Sequence, residues 1–203
     1  MIYFLVILFA ILTGQFVQPP EWLQLFGCVI TLIVAPILVV IMASLHALTP
    51  AHRKIFSQVA LGFTLLFTLA VSINRFTQLG VVRQSLDAGN VSGISWFLAY
   101  GEHSVMLGIE YLGWSWFLGL TALAAVPLFS GNRLENWLRG LFLVSAGMAL
   151  LSAVGFLLAN LLSLFGFVAW GLVLFIITGL LAVYFRHDQR VDQHEFSLRI
   201  NWR

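Results

Sequence analysis

Apolar residues run along this chain in long continuous stretches, and polar residues collect in the gaps between them. A helix needs about 20 apolar residues, at 1.5 Å each, to cross a hydrocarbon core of roughly 30 Å. Six stretches meet or approach that length: residues 2–17, 22–45, 55–79, 102–128, 137–158 and 162–185. Their apolar positions are contiguous, without the alternation of a barrel strand, so helices are predicted. The expected fold class is all-α: a polytopic transmembrane helical bundle of about six spans, forming one domain, followed by a cytoplasmic tail over residues 186–203.

The gaps carry chemistry that stops a helix. Gln18-Pro19-Pro20-Glu21 forces a turn after the first stretch, and Thr49-Pro50-Ala51-His52-Arg53-Lys54 closes the next hairpin. Thr49 or a neighbour is expected to cap the following helix, with Pro50 in its first turn. The longest connection runs from Gly80 to Tyr100 and contains the turn cluster Asp87-Ala88-Gly89-Asn90. Its later part, Ile94 to Tyr100, is aromatic enough to lie at a membrane interface. Ser130-Gly131-Asn132-Arg133 ends the fourth stretch. No Lys or Arg precedes the first stretch and no small-residue cleavage pattern follows it, so it is read as a retained span.

Composition agrees with this pattern. The chain is 61% hydrophobic and 9% charged, against about 25% charged in a soluble domain. So few charges cannot clothe a water-soluble surface, so the apolar remainder faces lipid. The net charge of +2 comes without a basic, aromatic-interleaved cluster, so nucleic acid is excluded as a partner. The single cysteine, Cys28, has no partner for a disulfide or a zinc site and reads as a small buried or lipid-facing residue.

The distribution of positive charge sets an orientation. With six spans, Arg53, Lys54, Arg133, Arg139, Arg186, Arg190, Arg199 and Arg203 fall on one side. Arg83 falls on the other, with Arg75 near it. Positive charge marks the cytoplasmic side, so both termini are expected there, in a multi-pass protein of the inner (plasma) membrane. Within the spans, Pro36 is expected to kink its helix. Ser145, Ala149 and Ala153 make a small-residue row suited to close helix approach, within the bundle or in a homo-oligomer. Trp22, Trp96 and Trp137 fall near predicted interfaces.

Costly polar residues concentrate in the outer half of the third and fourth spans. The third carries Asn74, Arg75 and Gln78; the fourth opens with Glu102-His103 and carries Glu110. By helix rise, Glu110 lies roughly 7 Å outside the centre of its span. A carboxylate near the bilayer centre costs on the order of 3 kcal/mol, so Glu110 should face the bundle, paired or protonated. Arg75 can reach it if the two faces meet. Glu102, Met106 and Glu110 repeat at i, i+4 and i+8 on one face, and Gly108 and Gly113 leave room beside it.

Two readings of this cluster stand side by side. One is an outward-facing site that binds a small zwitterionic solute, passes protons or holds a metal. The other is a buried ion-pair network that fixes helix register. Several chemistries are excluded. The sole lysine, Lys54, lies in a loop, so no Schiff base forms within the bundle. His46 and His103 sit at opposite ends of their spans and cannot share a haem iron. There is no H-E-x-x-H, no glycine-rich phosphate loop and no nucleophile–histidine pair of an intramembrane serine protease. No cofactor is expected. The tail carries Phe196, Leu198, Ile200 and Trp202 interleaved with Arg199 and Arg203, a pattern for a membrane surface or a protein partner.

Several segments resemble a family of bacterial six-span membrane proteins to which no activity is assigned. They are Val71 to Gln78, Val81 to Leu86, His103-Ser104, Ile109 to Trp114, Pro127 to Gly131, and Leu134 to Arg139. The resemblance implies the six-span fold and a bacterial inner membrane. It departs at Tyr100-Gly101-Glu102-His103, where the family pattern has an Asn-Pro-like turn, and it transfers no substrate. The leading expectation is a small-solute binding or transport-related protein with a site between spans three and four. Its ligand-binding residues would be Asn74, Arg75, Gln78, Glu102, His103 and Glu110. The alternatives are an accessory or regulatory protein acting through a membrane partner, and a membrane-embedded enzyme.

Overall fold

The computed structural model describes residues 21–90, 92–99 and 104–186. The predicted span at 2–17, Glu102, His103 and the tail beyond Arg186 lie outside the described residues. Within them the chain is all-helical, with no strand, and five helices are long and apolar enough to cross a membrane. They are α1 (Trp22–Leu48), α2 (Ala51–Asp87), α3 (Val105–Leu128), α4 (Arg133–Leu157) and α5 (Leu161–Arg186). These correspond to the second to sixth predicted spans.

Two boundaries differ from expectation. Helix α2 does not stop near Gly80 but continues to Asp87 through a π-helical turn at Gln78–Val82. The wider turn keeps the backbone hydrogen-bonded past the glycine, and a Cβ at Gly80 would meet nothing. Helix α2 ends instead in a Schellman cap: Gly89, at φ 68°, donates its amide to Leu86 O, and Asn90 donates to Ser85 O. Helix α4 begins a turn early, at Arg133, because Asn132 caps it by accepting from Glu135 N at 3.0 Å.

The α1–α2 hairpin also corrects a detail. Thr49 faces backwards, donating to Leu45 O at 2.6 Å, and does not cap α2. Pro50 precedes the first helical turn rather than entering it. Lys54 supplies the remaining cap by donating Nζ to His46 O (2.5 Å) and Ala47 O (3.3 Å). A cation on the terminal carbonyls of α1 suits the helix dipole. Arg53 reaches across to Leu128 O at 3.2 Å and to the Ser130 hydroxyl, tying the α1–α2 turn to the end of α3. Arg53, Lys54, Arg133, Arg139 and Arg186 therefore share one end of the bundle, called here the basic end.

Packing separates two surfaces that are both apolar. On α1 the buried residues Cys28, Thr31, Ala35, Leu38, Met42 and Leu45 recur at alternating spacings of three and four. Residues between them, such as Ile33, Ile37 and Val40, are exposed. Pro36 points to this exposed side, and beside it Thr68 donates to Ala35 O at 3.1 Å. Two core clusters result. One, near the basic end, centres on Phe129, Leu138, Phe142 and Ile177. The other centres on Phe67, Tyr111, Trp114, Ala149 and Trp170.

The small-residue row Ser145, Ala149, Ala153 is buried inside the bundle. It meets α3 at Gly119, where an added Cβ would lie 3.2 Å from Ala149 Cβ and 3.1 Å from Leu150. The row therefore serves helix packing within one chain. Ala149→Leu is expected to overpack this seam and cost about 1–3 kcal/mol. Thermal unfolding in detergent should show a clear drop for Ala149→Leu and none for Val144→Leu on the exposed side of α4.

Candidate functional site

The far end of the bundle, opposite the basic end, brings together three of the six sequence-predicted polar residues, Asn74, Arg75 and Glu110; Gln78 lies beside them, and Glu102 and His103 fall outside the described residues. Glu110 lies on α3, about 10 Å beyond that helix's midpoint. Arg75 lies on α2, about 31 Å of helix rise from Lys54. Their side chains form an ion pair, 6% and 11% exposed. Asn74 braces it, donating Nδ2 to Glu110 Oε2 at 3.0 Å and to Met106 O at 2.7 Å. Glu110 thus sits farther from the middle of its helix than the predicted span suggests, because α3 starts only at Val105, whereas Arg75 lies about 9 Å from the midpoint of α2, slightly deeper than expected, because α2 runs on to Asp87.

The local sequence explains why these faces meet. Gly113, one turn after Glu110, has no Cβ where Val71 Cγ2 would lie 3.2 Å away, so α2 and α3 approach closely. Gly108, by contrast, faces open space. A second π-helical turn, Leu112–Phe117, follows Glu110 directly. It buries Gly113, Trp114 and Ser115 in succession. A regular helix advances 100° per residue and would turn one of these three outward. A third π turn, Ala169–Val173, does the same for Trp170 on α5. All three π turns flank this region, where irregular helix geometry is commonly a functional feature.

Two further side chains join the centre that the sequence reading left out. The Cys28 thiol of α1 adjoins the Arg75 guanidinium within hydrogen-bonding reach. The Trp114 indole reaches toward the Glu110 carboxylate. The signal for Cys28 was present: with Thr31 and Ala35 it forms the small or polar first half of the three-four stripe on α1 that ends up buried. Behind Trp114 stands an aromatic wall. Phe67 meets it edge-on at 4.8 Å, and Trp170 lies 5.5 Å away. Tyr111 stacks on Phe156 at 4.2 Å.

Gln78 has a different role from its neighbours. It donates Nε2 to Phe97 O at 2.6 Å, one helical turn beyond Asn74. From the other side Ser104, the N-cap of α3, donates to Leu98 O and accepts from Met106 N at 3.1 Å. The segment Ile94–Leu98 is thereby strapped between α2 and α3 at the far end. Ile94 is buried while Trp96 and Phe97 are exposed. Gly93, at φ 73°, opens the strap in the left-handed region that glycine tolerates.

One polar atom in the centre stays open. Asn74 Oδ1 is buried and accepts no hydrogen bond among the described residues. A buried amide oxygen without a donor is costly and invites a water or a ligand. Among the described residues no group of three His, Cys, Asp or Glu side chains is placed to hold a metal. The arrangement offers a cation, an anion, a thiol and a free acceptor in one aromatic-walled spot. Fold and centre together define a helical membrane-embedded protein with a buried polar core at one end. Comparisons with protein-family models, curated proteins and solved structures found no match.

Removing one partner of a buried ion pair leaves the other uncompensated, at a cost of about 3–5 kcal/mol. Glu110→Gln and Arg75→Met should therefore each lower the unfolding temperature strongly. The double variant should recover much of the summed loss, and a double-mutant cycle in detergent measures that coupling.

Proposed function

We propose that the chain is a six-span protein of a bacterial inner membrane, with both termini cytoplasmic, that binds a small polar solute from the outside. Charge supports the orientation, since the basic end carries five of the seven Arg and Lys residues among the described residues. The Arg75–Glu110 centre then lies in the outer half, between the third and fourth spans, beneath the Ile94–Leu98 strap. Binding or transport of a solute is the activity this placement favours. The resemblance to six-span bacterial proteins accords with the topology.

The observation that carries the reading is the open Asn74 Oδ1 beside a closed ion pair. An ion pair that only fixed register would have every polar neighbour satisfied, because an idle buried acceptor weakens the fold. A zwitterionic solute completes the set. Its carboxylate takes Arg75, and its ammonium takes Glu110 together with Asn74 Oδ1, while the Trp114 face offers a cation–π contact. Entry requires release of few anchors on the strap, namely Gln78 to Phe97 O and Ser104 to Leu98 and Trp96. Gly93 permits the hinge motion.

Native mass spectrometry of protein released from mild detergent tests the proposal. Wild type is expected to carry a defined small extra mass, absent from Glu110→Gln. Bare protein in both, with a less stable variant, would overturn solute binding and leave a structural ion pair.

A further inference from the structure

Between Arg139 and Arg186 the sequence contains no Asp, Glu, Lys, Arg or His. That stretch includes the α4–α5 turn, which sits at the far end of the bundle. Turns that project into water are ordinarily polar. Here Leu157, Leu158 and Leu161 are 78%, 66% and 81% exposed. The α2–α3 connection, with Asp87 and Asn90, shows what a polar turn of this chain looks like.

Much of the backbone of the α4–α5 turn is hydrogen-bonded within the turn itself. Leu158 N donates to Val154 O at 3.0 Å, Ala159 N to Phe156 O at 3.1 Å, and Asn160 N to Gly155 O at 2.9 Å. The last two form a Schellman cap with Ala159 at φ 51°, an unusual residue for the left-handed region. Asn160 then accepts from Leu162 N on Oδ1 at 3.0 Å and from Ser163 N on its carbonyl at 3.2 Å. The Ser152 hydroxyl of α4 donates to Ser163 O at 2.7 Å. Gly155 lacks a Cβ where Leu162 and Ser163 pass, so the turn folds flat onto α4. Water would supply partners for such groups; hydrocarbon supplies none, and each open group there costs several kcal/mol.

Depth agrees. The rise from Arg139 to Leu158 is about 28 Å, close to the roughly 30 Å of a hydrocarbon core. With Arg139 among the headgroups of one leaflet, the turn stops at the acyl edge of the other. Its leucines continue the exposed apolar belt of Leu151 and Val154 on α4 and Val168 and Leu172 on α5.

We propose that the α4–α5 turn, residues 157–165, is a lipid-seated element. Its leucines pack among the acyl chains of the leaflet opposite the basic end, and the turn does not reach water. Its occupant is lipid, and the seat fixes the depth of the α4–α5 hairpin. The hydrogen bonds from Ser115 to Ser152 and from Ser152 to Ser163 O carry that depth to α3 beside Trp114.

The test uses the full chain in vesicles of phosphatidylcholine, with single cysteines introduced by Leu158→Cys, Leu161→Cys and, in the polar turn, Asn90→Cys. The unsubstituted chain, whose Cys28 is buried, supplies the blank. A charged maleimide is expected to react at 158 and 161 at least several-fold more slowly than at 90. A fluorophore attached at 158 or 161 is expected to be quenched by doxyl-labelled lipid and spared by aqueous iodide. Fast maleimide reaction at 158 and 161 would place the turn in water and overturn the proposal. Slow reaction without quenching by doxyl lipid would place a protein neighbour there and overturn it equally.

Discussion

Two opposite charges taken out of water hold the far end of this bundle together. Arg75 and Glu110 come from different helices, so their pairing fixes both the rotation and the axial register of α2 against α3. Neither charge is tolerable alone in that setting. The helices must therefore bring the pair into contact, and Gly113 supplies the close approach that allows it. Asn74 then orients the carboxylate from α2, and Cys28 brings α1 to the guanidinium. Three helices converge on one polar spot in a protein whose other surfaces are nearly uniform in chemistry.

The same constraint explains the helix irregularities. In lipid, a backbone polar group has no solvent to fall back on. A helix that must rotate its side chains mid-course therefore keeps its hydrogen bonds by widening into a π turn. Gln78–Val82, Leu112–Phe117 and Ala169–Val173 are such places, and each presents residues toward the polar centre or its aromatic wall. The caps follow the same logic. Lys54 takes the free carbonyls of α1, Ser104 takes the free amides of α3, and Asn160 takes those of the α4–α5 turn.

The two ends of the bundle differ in kind. At the basic end, Arg53, Lys54, Asn132 and Glu135 clamp tight polar turns. At the far end, a strapped aromatic segment lies beside an apolar turn, with the ion pair a helical turn inward of the strap's anchors. The basic end is thus held by more side-chain anchors than the strap at the far end.

The sequence by itself determined that the chain is helical and membrane-embedded, and it marked the proline and polar breaks between α1 and α2 and between α3 and α4. Charges are so rare here that Asn74, Arg75 and Glu110 could be picked out one by one, and the structure does bring them together. The sequence did not show that α2 runs on to Asp87, that Thr49 caps backwards, or that Gln78 holds a strap instead of the ion pair. Nor did it show that Cys28 and Trp114 complete the centre. The reason is physical. In a soluble helix, water-facing residues are polar, so the buried face can be read from the pattern. In lipid both faces are apolar, and only size and spacing distinguish Cys28, Thr31 and Ala35 from Ile33 and Ile37. Which face turns inward, and where a helix widens to keep a charge paired, is decided by contacts between helices far apart in sequence.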